Sequence, residues 1–555
     1  MSKKIMMVIL IIFTQFFSST ICFKCGTDLI KREPVLMNNL KPNNKRRLAN
    51  EYTPIKIKYD YSQLIEQNYL SGNDLNDLIN LFSEVGESFR SLLSIVHEDI
   101  LVDTDDLKNH CEIDTYSSDI YKSLITHDIL IFPVINTEMD EYTMAQSWVC
   151  LYANNFRPTV GVVEINPNFS LYQIDAAYSM KYLLLHEISH ILGFSRFVFQ
   201  NLNFISSETV NGEEIFYINS TKVIEKAKIH FNCENIKGVA LENQGGDGSA
   251  GSHWEARYML GDYMISTDYP EVVISDITLA YFEDTGFYKV NYYSGGLFRF
   301  GKNQGCAFLE EKCVKDNGKS TSFTNDFCLE EYGPFCGSSH ISRGFCLILE
   351  YSEKVEVNHY ENELMGGLDV ADYCPVSYAY DEDLYDYYVF PSNCAYGFNY
   401  FEDEGEEIGD KSLCFESSLT LNKDTSTDIN VESMCYRLEC DKNNKVFNVY
   451  VNDSIINCPG NETILQDPNG FKGQIKCPDY NIVCSSKIWC NELFDCINKK
   501  SEADPETFYY NKNNEEKDDS NSKDDSNSNL KPNNLGIPLV FVVILTTFLL
   551  FLKVI

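Results

Sequence analysis

The segment Tyr182-Leu183-Leu184-Leu185-His186-Glu187-Ile188-Ser189-His190-Ile191-Leu192-Gly193 sets two histidines four residues apart among apolar neighbours. On a helix, residues at i and i+4 lie on one face, one turn apart, so both imidazoles can address a single ion. Glu187 lies about 100° further round the helix. From there its carboxylate can reach a water beside the ion without ligating the metal. An imidazole pair suits zinc, which lowers the pKa of a water towards ~7 and polarises a carbonyl. Glu187 would take the proton and pass it to a leaving amine. The chemistry this implies is metal-assisted hydrolysis of a peptide bond. Two exposed histidines on an ordinary helix can produce the same spacing, but the flanks here are apolar and helical.

A catalytic zinc takes three protein ligands and keeps one position open. A third histidine commonly follows such a helix three residues past its terminal glycine. Here that position is Arg196, which cannot ligate. Seven histidines remain, at positions 97, 110, 127, 230, 253, 340 and 359, and composition does not choose among them. An acidic third ligand is a further option, with Glu242 and Glu255 as its candidates.

These residues need a frame. The apolar period predicts a helix from Ile174 to Leu192, stopped by Gly193. Alternation predicts a strand at Ile55–Tyr59, and short apolar runs predict buried strands at Ile129–Ile135 and Val160–Ile165. From Cys306 onward, cysteines arrive every ten or twenty residues among Tyr, Asp, Asn and Gly. That texture predicts an irregular, disulfide-stapled region with few long elements.

Several blocks carry a wider resemblance. The helix motif ends in Gly193-Phe194-Ser195. Downstream come Gly245-Gly246-Asp247-Gly248-Ser249-Ala250-Gly251-Ser252 and directly His253-Trp254-Glu255. Gly261-Asp262-Tyr263-Met264, Thr278-Leu279-Ala280, Glu283-Asp284-Thr285-Gly286-Phe287-Tyr288 and Gly305-Cys306-Ala307-Phe308 follow. Upstream lie Arg157-Pro158, Gly161 and Asn166-Pro167. Together they resemble leishmanolysin, the surface metzincin family whose third ligand is separated from its helix by an inserted segment. The resemblance covers roughly residues 50 to 500.

The resemblance implies an α+β fold: a metzincin-like zinc protease catalytic domain, then a cysteine-rich, disulfide-stapled C-terminal domain. It implies one catalytic Zn2+ held by His186, His190 and His253, with Glu187 as base and Met264 as the apolar floor beneath the ion. It implies disulfides Cys111–Cys150 and Cys233–Cys306. It also implies a propeptide cysteine that caps the metal, and Cys25 in Lys24-Cys25-Gly26-Thr27-Asp28 stands at that place. The family's usual histidine beside it is replaced by Thr27. A thiolate is a strong zinc ligand and would exclude the catalytic water. A Cys22–Cys25 pair or an unrelated thiol is the plainer reading of the same residues.

Composition sets the surroundings. Of 555 residues, 82 are acidic and 45 basic, a net charge of -37. Such a field excludes a nucleic-acid backbone as partner and leaves protein or peptide substrates. Lys3-Lys4 followed by the apolar run Ile5–Phe17 reads as a secretory signal. Twenty cysteines, and sequons at Asn168, Asn219, Asn452 and Asn461, fit an oxidising, extracellular compartment. The basic cluster Lys45-Arg46-Arg47 is a natural processing site. The expected organisation is a signal at 1–22, a propeptide at 23–47 and a catalytic region at 48–295 with its inserted segment at 196–252. A cysteine-rich domain at 296–500, an acidic disordered stalk at 501–535 and a hydrophobic tail at 536–555 complete it. The tail implies membrane attachment through a glycolipid anchor or a single span, with the catalytic domain outside the cell. The function expected is endopeptidase cleavage at the cell surface or in the extracellular space, with a part in cell adhesion. A catalytically weak adhesion or binding protein on the same fold is the alternative.

Overall fold

The structure is a computed structural model. It describes residues 24–25, 35–36 and 51–484 apart from internal segments, of which 168–175, 293–297, 380–391, 400–404 and 421–430 are the longest. The signal, stalk and tail expected from the sequence lie outside the described residues, as do Cys22, Cys490 and Cys496. Among the described residues, no helix is long and apolar enough to cross a membrane.

The half that carries His186, His190 and His253 is built on one mixed sheet. Its strands are β1 (Lys24–Cys25), β2 (Val35–Leu36), β3 (Ile57–Tyr59), β4 (Ile129–Ile135), β5 (Thr143–Tyr152) and β6 (Pro158–Ile165). The order is β1-β5-β6-β4-β3, and β2 also pairs with β5. Strands β3, β4 and β6 run parallel, while β5 runs antiparallel to β6. Every residue of β4 is buried, as a strand covered on both faces requires. Its side chains alternate between two cores. Ile129, Ile131 and Ile135 join one cluster, and Leu130, Phe132 and Val134 join the other.

Helices cover the two faces. On the second face lies α2 (Thr104–Cys111), tied to β5 by the Cys111–Cys150 disulfide. On the first lie α1 (Asn73–Leu92) and α3 (Ala176–Ile191). Helix α3 is the predicted one, beginning within the expected range and ending one residue short of Leu192. It approaches β6 closely because Gly161 has no side chain. A Cβ there would lie 2.6 Å from Ile191 Cγ2. Gly193 follows with φ of +118°, a conformation that favours glycine. The turn is closed by hydrogen bonds from Gly193 N–H to His190 O and from Phe194 N–H to Ser189 O.

Residues 196–252, where an insertion is expected, hold a hairpin of Ile205–Val210 and Glu213–Ile218, then α4 (Thr221–Phe231). The Cys233–Cys306 disulfide fastens the chain just after α4. After it come α5 (Ala256–Met259) and α6 (Asp276–Asp284), which packs on α4. The first core continues through Phe298, Phe308, Phe327 and Val376, so it draws on residues either side of the expected boundary at 295/296.

The C-terminal part is more regular than its cysteine spacing predicts. Strands β7 (Ser412–Ser417), β8 (Glu432–Asp441), β9 (Val446–Val451), β10 (Ser454–Cys458), β11 (Thr463–Gln466) and β12 (Gln474–Cys477) form an antiparallel sheet, order β10-β9-β8-β7-β12-β11. Its own core includes Phe415, Tyr436, Phe447, Val449 and Ile475. Residues 446–451, Val-Phe-Asn-Val-Tyr-Val, alternate half-buried with buried side chains, the period-two pattern of a strand with one covered face.

Candidate metal centre

Helix α3 brings His186 and His190 to one face, and the chain returns after residue 252 to set His253 against them. The three Nε2 atoms lie 3.1–3.2 Å apart. Each Nδ1 meets a backbone carbonyl at 2.7 Å: Tyr263 O for His186, Phe194 O for His190 and Ser249 O for His253. A carbonyl oxygen can only accept, so each Nδ1 carries the ring proton and each Nε2 presents a lone pair. Burial disfavours the charged imidazole. It pushes His186 and His253 down to about 4 and His190 well below its ordinary value. All three rings are therefore neutral near pH 7.

Three lone pairs converging at this separation repel one another unless a cation lies among them. Zinc–nitrogen bonds of 2.0–2.1 Å in a tetrahedral site place neighbouring nitrogens about 3.3 Å apart, close to the observed spacing. Cys25 completes the cluster. Its Sγ lies 3.6 Å from His190 Nε2, and the four donors lie within 4.8 Å of one another. A tetrahedral ion with one thiolate at ~2.3 Å would set sulfur and nitrogen about 3.6 Å apart. The donor set thus fits zinc by chemistry and by spacing. Among the described residues, Cys25 is the cysteine that joins none of the eight disulfides.

Glu187 is fully buried beside this cluster, and its backbone carbonyl accepts a hydrogen bond from Ser147 Oγ at 2.8 Å. That bond ties α3 to β5. Met264 is also fully buried. Its N–H donates to Asp262 Oδ1, and its carbonyl accepts from Trp254 N–H. Glu242 and Glu255, candidates for an acidic ligand, are not in the cluster. Glu242 Oε1 accepts from Gln244 N–H, and Glu255 Oε1 caps α5 at Arg257 N–H. Burial raises both carboxyls well above the ordinary range. His230 donates to Phe300 O and His359 to Asp372 O, while His340 Nδ1 binds Cys414 O. His97 lies against Asp128.

Several groups position the site through contacts that leave no pattern in the sequence. Tyr281 Oη donates to Gly193 O and Tyr288 Oη to Leu192 O, satisfying carbonyls at the end of α3. Asp262 accepts from Met264 N–H, Ser275 N–H and Thr278 Oγ1, and Thr278 Oγ1 accepts from Trp254 Nε1. This network fixes the turn whose Tyr263 carbonyl orients His186. The blocks containing Trp254, Asp262 and Thr278 stand out in the sequence, but their mutual contacts do not. Both expected disulfides, Cys111–Cys150 and Cys233–Cys306, are present. Six more link Cys313–Cys374, Cys328–Cys346, Cys336–Cys414, Cys394–Cys435, Cys440–Cys484 and Cys458–Cys477.

A mixed sheet with a helix-borne histidine pair, joined by a histidine 63 residues further along, defines a fold of the metzincin kind. The chain belongs to the leishmanolysin family, whose model, described as Leishmanolysin, matches residues 100–490. It is similar to a leishmanolysin homolog of Crithidia fasciculata, at 29% identity over 62% of this chain and 53% of the relative. It is similar to leishmanolysin of Leishmania tropica, at 27% over 64% and 54%. The leishmanolysin-like peptidase of Drosophila melanogaster matches at 27% over 48% and 44%. The chain spans about half the length of the curated relatives it matches.

Proposed function

We propose that the chain is a zinc-dependent endopeptidase acting on proteins at the cell surface or in the extracellular space. His186, His190 and His253 are its metal ligands and Glu187 its general base. The observation that carries this reading is the trio of carbonyl-anchored imidazoles, with Nε2 atoms 3.1–3.2 Å apart beside a buried carboxylate. Bound zinc would acidify a water and polarise the scissile carbonyl. Tyr263, Phe194 and Ser249 carbonyls hold the rings in the tautomer that ligates. A Glu187 carboxylate oxygen accepts the water's proton and returns it to the departing amine nitrogen. The helix end that carries these groups is held by Tyr281 and Tyr288, and the Met264 turn is held by Asp262. The metal therefore need not order its own site on binding.

Cys25 is read as a latch. Its sulfur lies 3.6 Å from His190 Nε2, so in the unprocessed chain it would take the fourth position on a bound zinc as a thiolate and exclude the water. Cleavage near Arg47 releases it. Secretion is supported by the signal-like N-terminus and by the eight disulfides, which persist in oxidising compartments. Membrane attachment rests on residues 536–555, and a part in adhesion on family resemblance.

The test is zinc-to-protein stoichiometry together with hydrolysis of an unstructured protein by chain lacking residues 23–47. One zinc per chain, with activity lost to a chelator and restored by zinc, is expected. Chelator-insensitive hydrolysis, or none with zinc present, contradicts the reading.

A further inference from the structure

The N-terminal segment meets the sheet at two separate places, and a metal cap explains only one. Strand β1 pairs with β5 at Lys24↔Thr143 and Cys25↔Ala145, beside the histidines. Strand β2 pairs with the same edge at Val35↔Leu151 and Leu36↔Tyr152. Partners 145 and 151 are six residues apart, which at ~3.3–3.4 Å per residue is about 20 Å along β5. No metal donor reaches so far. What the second place offers is hydrogen-bonding backbone on the side of β5 away from β6, the template on which an extended chain adds as a strand.

The second place also has a side-chain preference. Val35 packs against the buried cluster that includes Trp148, Cys150 and Leu151, whereas the next residue, Leu36, is exposed. One side chain points in and the next out, as a strand added to an edge requires. This end of β5 is firmly held. Cys150 is bonded to Cys111, Tyr152 lies 4.6 Å from Phe197 ring to ring, and Thr159 Oγ1 donates to Leu151 O. Removing residues 23–47 would leave a rigid edge with an apolar seat.

We infer that the far end of the β5 edge, at Leu151–Tyr152, is a docking site for extended polypeptide. Val35–Leu36 fills it before processing. Afterwards it takes an apolar residue of the substrate about six positions from the scissile bond. This rests on the endopeptidase reading and narrows its substrates to unfolded chains long enough to span both places. Binding there tightens the complex without touching the reacting atoms, so it lowers KM and leaves kcat alone.

The probe is a synthetic peptide of residues 30–42, which contains Val35 and Leu36 but lacks Cys25. It is added to the processed protein with two substrates sharing one cleavage sequence, of about twelve and about four residues, only the longer able to span the distance. Expected is competition with the long substrate, raising its apparent KM at unchanged kcat, with no effect on the short one. The same peptide carrying Val35→Asp should compete at least about tenfold more weakly, because a carboxylate cannot enter an apolar seat without a partner. Equal inhibition of both substrates would place the peptide at the metal, and inhibition of neither would remove the docking site. Either result overturns the inference. Failure to cleave both substrates would strike the endopeptidase reading instead. In that case anisotropy of a fluorescent 30–42 peptide still decides docking, with a bound wild-type peptide and an unbound Val35→Asp peptide expected and no binding of either overturning it.

Discussion

Between residues 51 and 306 the described chain carries two disulfides; between 313 and 484 it carries six. The metal region instead spends its buried polar groups on one another. Three imidazoles bind carbonyls, two tyrosine hydroxyls bind the end of α3, and Asp262 gathers three donors. Its core draws on residues from Ile55 to Val376 and takes in one of the six later disulfides, Cys313–Cys374, whereas the core of the C-terminal sheet is a small cluster between Leu413 and Val483. A small core leaves little net stability after chain entropy, and cross-links make up the difference. A large core can instead hold directed hydrogen bonds in place, which is what a metal site needs. The difference teaches that metal binding and C-terminal stability should be separable by mutation.

The largest expected effect lies in the metal region. His253→Ala should remove most of the zinc and with it the activity, because a two-histidine site binds zinc poorly. His230→Ala, whose ring binds Phe300 O, should keep the metal. Metal analysis of the two variants checks this, and the reverse result would mean that His253 is not the third ligand.

The next effect lies in the other region. Replacing Cys440 and Cys484 together by Ser should cost about 2–4 kcal/mol of stability. The loss should appear in denaturant unfolding of the C-terminal sheet while zinc content stays at the parental level. Loss of zinc alongside the sheet would break the comparison.

Asp262→Asn sharpens it from the other side. The amide oxygen can still accept from Met264 N–H, but the amide nitrogen then faces the Ser275 N–H and leaves that donor unmatched. The turn bearing the Tyr263 carbonyl should loosen, weakening zinc binding by roughly tenfold, measured by chelator competition. Unchanged affinity would show that the turn does not position His186.

A smaller effect concerns pH. The hydrogen bond to Asp128 raises the pKa of His97 above its ordinary value, against the opposing pull of burial. A raised folded-state pKa gives stability that is fully present below about 6.5 and lost as pH rises through the folded value. The melting temperature should therefore fall more between pH 6 and 9 for the parent than for His97→Gln. Parallel profiles would remove this pair from the balance.

What could be read from the sequence follows the range of each signal. His186, Glu187 and His190 were visible because helical spacing is local. His253 stands 63 positions beyond His190, so no periodicity links them; only the resemblance did, through the glycine-rich block before it. Buried strands β4 and β6 announced themselves as apolar runs. Strand β5 did not, because Thr143, Gln146 and Ser147 break its apolar run although two of the three are buried. The C-terminal sheet is hidden in the sequence although residues 446–451 alternate cleanly, since frequent cysteines point to irregular chain. Tyr281 and Tyr288 could not have been assigned as partners of α3, for a hydroxyl meeting a distant carbonyl leaves no pattern along the chain.

The central claim, that Glu187 moves the proton at a zinc site the protein holds ready, is tested most directly by Glu187→Gln in chain lacking residues 23–47. The amide keeps the shape and loses the base. Zinc content and melting temperature should match the parent, while kcat for an unstructured protein substrate falls by about 10²–10⁴-fold. Hydrolysis at a near-parental rate, with zinc and fold intact, would contradict the account.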